Sequence, residues 1–112
     1  MPTRRAATLW LPVVAWAAVI FVLSSIPSLG TGLGTWDLAL RKLAHVTEYA
    51  VLGALLARAL SEPVALLSGL AYAISDELHQ TFVSGREGTA RDVFFDAAGV
   101  AAGILALRRL RR

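Results

Sequence analysis

The chain contains no cysteine, which excludes disulfide frameworks and thiolate zinc sites and leaves its redox compartment unmarked. Charge is scarce as well. Asp, Glu, Lys and Arg make up 17% of 112 residues while hydrophobic residues make up 56%, apolar for a soluble protein of this size. Too few polar side chains remain to cover a water-facing surface. Acids are the scarcer sign, eight against eleven basic residues, for a net charge of +3. Such a balance suits a nucleic acid or an anionic membrane, and the placement of the charges decides between them. No internal repeat or low-complexity tract stands out, and the length suits a single domain over 1–112.

What is present is a series of apolar runs. Ala6 to Ser24 holds no charge and meets the requirement of roughly 20 residues for crossing a hydrocarbon core. Pro12 does not veto a helix there, because neighbouring helices can satisfy the carbonyl that a proline frees in a membrane span. Arg4 and Arg5 also resemble the basic start of a signal peptide, but "SSIPSLG" offers no clear small-x-small cleavage site, so a retained span is expected. Ser25 to Asp37 reads as a loop ending at a membrane interface. Further apolar segments cover about 40–60, 63–80, with Pro63 near a helix start, and 92–107, followed by "RRLRR".

The expectation is an all-α, four-span transmembrane helical bundle. An N-terminus inside the cell puts seven basic residues (Arg4, Arg5, Arg58, Arg108, Arg109, Arg111, Arg112) on the cytoplasmic side against four outside (Arg41, Lys42, Arg86, Arg91), as the positive-inside rule favours. Both termini are then cytoplasmic. Seven of the eight acids fall outside, with Glu62 the exception. This accounts for the basicity without nucleic acid, and the basic tail becomes a topology anchor that favours anionic lipid headgroups.

In this topology the polar ends of spans two, three and four reach the same membrane face. If Lys42, Gln80 and Asp92 mark its boundary, His45 lies about 4 to 5 Å inside and Glu48, Asp76 and Asp96 lie about 6 to 9 Å inside. Ionisable groups at that depth are costly, and by default they mark a functional site. Lys42, His45, Glu48, Tyr49 and Leu52 form one stripe on span two. Asp76 shares a helix face with His79 and with Gln80, Glu77 lies about 100° around, and Asp92 and Asp96 are one turn apart. Gly99 and Gly103 permit close helix approach and read as internal packing rather than a dimer face.

Four uses of this constellation remain open, one of them ligand binding without chemistry. Glu48 or Asp76 can act as a general base with His45 or His79 as the acid, while Lys42, Arg86 and Arg91 clamp an anionic headgroup such as a phosphate. Alternatively, His45 with Glu48 and Asp76 with His79 are spaced as ligands of a divalent metal that activates water. In the third use the groups only hold the helices together, Lys42 with Asp92, Arg86 with Glu77, and the histidines with carboxylates. Trp10 and Trp36 suit interfacial belts, and Phe82, Phe94 and Phe95 suit lipid or packing contacts.

The stretches "RKLAHVTEYAVLGALL" and "SDELHQTFVSGREGTARDVFFDAAGVAAG" resemble the VanZ-like family of small multi-pass bacterial membrane proteins, over roughly Leu40 to Leu107. In that family a Lys-x2-His-x3-Tyr segment precedes Asp-Glu-x-His-Gln-x-Phe, a Gly-Arg loop and an Asp-containing helix with paired glycines. These fall on Lys42, His45, Tyr49, Asp76, Glu77, His79, Gln80, Phe82, Gly85, Arg86, Asp92, Gly99 and Gly103. The chain departs from the common pattern at Ser84, where proline is usual, and at Asp96, where asparagine is common. The resemblance implies association with low-level teicoplanin resistance. Its expected partners are membrane lipids or a lipid-linked cell-wall precursor held in an outward-facing pocket of Lys42, His45, Glu48, Tyr49, Asp76, Glu77, His79, Gln80, Arg86, Arg91, Asp92 and Asp96. It names a phenotype rather than a reaction.

Overall fold

A computed structural model of the chain describes residues 2–25, 35–82 and 90–111. Among them are four α-helices and no strand: α1 (Pro2–Ser25), α2 (Thr35–Ala59), α3 (Glu62–Gln80) and α4 (Ala90–Leu110). Each contains one of the apolar runs. α1 continues through Pro12, as a proline flanked by packing helices allows. The first loop is shorter than expected, because Thr35–Asp37 already belong to α2.

Only Leu60 and Ser61 separate α2 from α3. Ser61 is extended (φ −62°, ψ 156°) and its carbonyl accepts the Ala65 N–H at 2.8 Å. Pro63 sits where a helix start needs no donor, and Glu62 lies in the first turn, where the helix dipole favours an anion. The short reversal sends α3 back along α2. Arg108, near the end of α4, then reaches Glu62 with both Nε (3.1 and 3.0 Å to the two carboxylate oxygens) and Nη2. This forked pair ties the end of the bundle opposite the polar cluster.

The most extensive interface joins α2 and α4. Its closeness comes from glycine. A Cβ added to Gly99 would stand 2.6 Å from the Val46 carbonyl oxygen, and one added to Gly103 would overlap the Ala50 carbonyl. Gly53 on α2 answers them, its missing Cβ leaving room for the Val100 backbone. The paired glycines therefore pack within the chain, which is how small residues let helix backbones approach in an apolar solvent. Val100 is wholly buried, as are Tyr49 and Ile20.

α1 packs on α2 and α3 and, among the described residues, makes no contact with α4. Two hydrogen bonds seat it. The Trp16 Nε1–H donates to the Glu48 carbonyl at 2.8 Å, and the Tyr72 hydroxyl donates to the Ala17 carbonyl at 2.5 Å. Both give a partner to polar atoms that are costly to leave bare in apolar surroundings.

All four helices turn large apolar side chains outward: Leu11 and Val22 on α1, Leu43 on α2, Leu67 and Leu78 on α3, Phe94 on α4. By length and composition one helix, over Arg5–Leu23, is long and apolar enough to cross a membrane. Lys42, Glu48, Asp76, Glu77, Asp92 and Asp96 are among the residues that keep α2, α3 and α4 below that mark.

Candidate functional site

The first half of α2, the last turns of α3 and the start of α4 meet at one end of the molecule. There the fold buries what composition would place outside. Asp96 is 0% exposed and Asp76 4%, with Glu77 and Gln80 also buried. The antiparallel run of α3 and the parallel run of α4 against α2 bring these residues level, and the glycine contacts bring the backbones close enough for short side chains to meet.

At the rim, the Lys42 ammonium lies 3.3 Å from Asp92 Oδ1 and 4.5 Å from the centre of the Phe95 ring. One turn deeper, His45 Nδ1 stands 3.1 Å from Asp96 Oδ1. Deeper again, the Tyr49 hydroxyl donates to Asp76 Oδ2 at 2.8 Å. The Tyr49 ring lies 6.4 Å from that of His45 and 6.1 Å from that of Tyr72. Each step inward is one helical turn of α2, so the stripe on that helix is the spine of the cluster.

His45, Asp76 and Asp96 each offer a donor atom within 4.8 Å of the others. Among the described residues, Asp76 Oδ1 and Asp96 Oδ2 are buried without a hydrogen-bond partner. Two carboxylates this close, away from water, need a compensating positive charge or a shared proton. Chemically the cluster can hold a cation, pass a proton between His45 and Asp96, or orient a ligand through Tyr49 and Asp76.

The VanZ/LLP1 family model matches residues 5–111. The chain belongs to the VanZ/LLP1 family. No curated protein and no solved structure matches it. Family membership and the apolar run of α1 together point to a membrane protein.

In this VanZ/LLP1 chain the sequence-derived candidates whose side chains are described divide into three groups. Lys42, His45, Tyr49, Asp76, Asp92 and Asp96 are brought together by direct contacts. Glu77 and Gln80 are buried on α3 near them. Glu48 is half-buried and its backbone carbonyl takes the Trp16 hydrogen bond, while the His79 ring stacks on Phe21 of α1 at 4.5 Å. The three donor atoms that lie closest together come from three helices, His45 on α2, Asp76 on α3 and Asp96 on α4. Arg86 lies outside the described residues, as does the Arg91 side chain.

Phe95, expected only in lipid or packing contacts, lies under the Lys42 ammonium, and the contacts of α1 were not anticipated. A tryptophan in the middle of an apolar run was the available signal, because its N–H needs an acceptor and so a packed neighbour.

Proposed function

We propose that all four helices cross the bacterial inner membrane, with both termini cytoplasmic and the cluster near the extracytoplasmic face. There it binds the anionic headgroup of an envelope lipid or lipid-linked wall precursor and so lowers the action of a glycopeptide such as teicoplanin. The observation that carries this reading is the inverted polarity of the bundle. Leu11, Leu43, Leu67 and Phe94 are each more than half exposed while Asp76 and Asp96 are buried. In water that arrangement leaves apolar surface on every helix; in lipid it is the expected one. Nineteen to 25 residues per helix correspond to about 28 to 38 Å of rise, within the roughly 17 to 25 residues that membrane-spanning helices use, with α3 the shortest. Orientation follows from the seven-to-four distribution of basic residues, and the glycopeptide link follows from family resemblance.

The topology is tested with Ser84→Cys, the single cysteine of an otherwise cysteine-free chain. An impermeant thiol reagent applied to intact spheroplasts is expected to label it; protection until the membrane is opened would reverse the orientation. Ligand binding is tested with purified protein in neutral-lipid nanodiscs titrated with a polyprenyl phosphate. Saturable binding near one per chain is expected, weakened at least about tenfold by Arg86→Ala. Binding no better than to phosphatidylcholine would remove the ligand. A purely structural role would then remain, favoured by the way the Lys42–Asp92, His45–Asp96 and Tyr49–Asp76 contacts each join two helices.

A further inference from the structure

We propose that His45, Asp76 and Asp96 form a binding site for one divalent cation of the manganese-to-zinc class, and that this ion makes an acidic cluster able to receive an anionic headgroup. The second half of the proposal rests on the reading above; the first stands by itself.

Three observations converge. First, one imidazole nitrogen and two carboxylate oxygens from three different helices lie within 4.8 Å of one another. Tetrahedral coordination with bonds of about 2.0 to 2.2 Å puts ligand atoms roughly 3.3 to 3.6 Å apart. The His45 Nδ1 to Asp96 Oδ1 separation is 3.1 Å, and since no separation in the group exceeds 4.8 Å, a closure of Asp76 by up to about 1.5 Å completes the geometry. Second, Asp96 is completely buried and Asp76 nearly so, yet each keeps one carboxylate oxygen without a hydrogen-bond partner among the described residues. Buried polar atoms are rarely left unsatisfied, and a cation among them would satisfy both. Third, the remaining oxygen of Asp76 is held by the Tyr49 hydroxyl at 2.8 Å, the kind of outer contact that fixes a ligating carboxylate.

The donor set defines the class of ion. One nitrogen and two oxygens, with no thiolate, suit manganese, iron(II) or zinc rather than a soft ion such as copper(I). Three protein ligands leave a coordination position open, as in sites that accept water or substrate.

Charge gives the site its purpose. Lys42 is engaged by Asp92, and the interior beneath it contains Asp76, Glu77 and Asp96, a set that by itself repels a phosphate. A divalent ion neutralises the two ligating carboxylates and turns its open position toward the same rim. The anion then meets a coordinating ion, with both ligating carboxylates compensated, at the point where the side chains alone present negative charge.

The test uses full-length protein purified in detergent without a polyhistidine tag. The sample is stripped with chelator, desalted, and titrated separately with Zn2+ and Mn2+, with bound metal read by elemental analysis. Wild type is expected to retain about one equivalent of at least one ion, and Asp96→Asn and Asp76→Asn to bind it at least about tenfold more weakly. Glu62→Gln, at the far end of the bundle, is expected to bind as wild type does. Wild type carries the decisive reading, so a variant that fails to fold leaves the test intact. Retention well below one equivalent of either ion would overturn the proposal, as would Asp96→Asn binding like wild type. Polyprenyl phosphate binding by loaded and stripped protein separates the two readings. Metal retained with no lipid bound in either state sinks the lipid reading and the ion's proposed role while leaving the site itself. Lipid bound equally well in both states sinks the ion's role and leaves the lipid reading.

Discussion

Gly103→Leu is expected to prevent the chain from accumulating as a folded protein, and to cost about 3 kcal/mol or more where folding can be measured. The first atom of any side chain at this position falls on the Ala50 carbonyl oxygen, a backbone atom that cannot rotate away. Three more carbons follow it into the same interface. Because α2 and α4 share the most extensive contact in the molecule, the helices must separate. His45 then leaves Asp96 and Lys42 leaves Asp92, since both pairs cross that interface. Loss of helicity on titration with SDS in mixed micelles is the measurement. Ala98→Leu, on the exposed face of α4, should unfold as wild type does. If Gly103→Leu matches this control, α2 and α4 do not touch as described.

Much of the cluster was legible in the sequence because helices impose spacing. Lys42, His45 and Tyr49 fall on one stripe at intervals of three and four, and short connections force neighbouring helices to reverse, so the polar ends had to meet. The partner of His45 was less legible. Glu48 lies one turn away on the same helix and was the local choice, but the rotation of α4 against α2, set by Gly99, Gly103 and Gly53, presents Asp96 instead. Spacing within one helix carries no information about such a rotation. The place of His79 was hidden for a similar reason. Its ring stacks on Phe21 of α1, a helix whose uniformly apolar sequence discloses no preferred face. The early start of α2 was hidden by the glycines and serines before it, which read as loop until Thr35 opens the helix.

The carboxylates of the cluster, Asp76 buried and Glu48 half-buried, are expected to act through their charge rather than as ties between helices. Asp76→Asn and Glu48→Gln separate these roles, because each keeps the side chain's shape and removes only its charge. An amide at position 76 can still accept the Tyr49 hydrogen bond through its oxygen, so the α2–α3 contact survives while the anion is lost. The deciding measurement is teicoplanin susceptibility of a sensitive Gram-positive host expressing wild type or either variant at membrane levels matched by blot. Wild type is expected to raise the inhibitory concentration several-fold, with Asp76→Asn returning it to the empty-vector value and Glu48→Gln reducing it. Equal protection by all three proteins would contradict the claim and make the cluster helix packing alone.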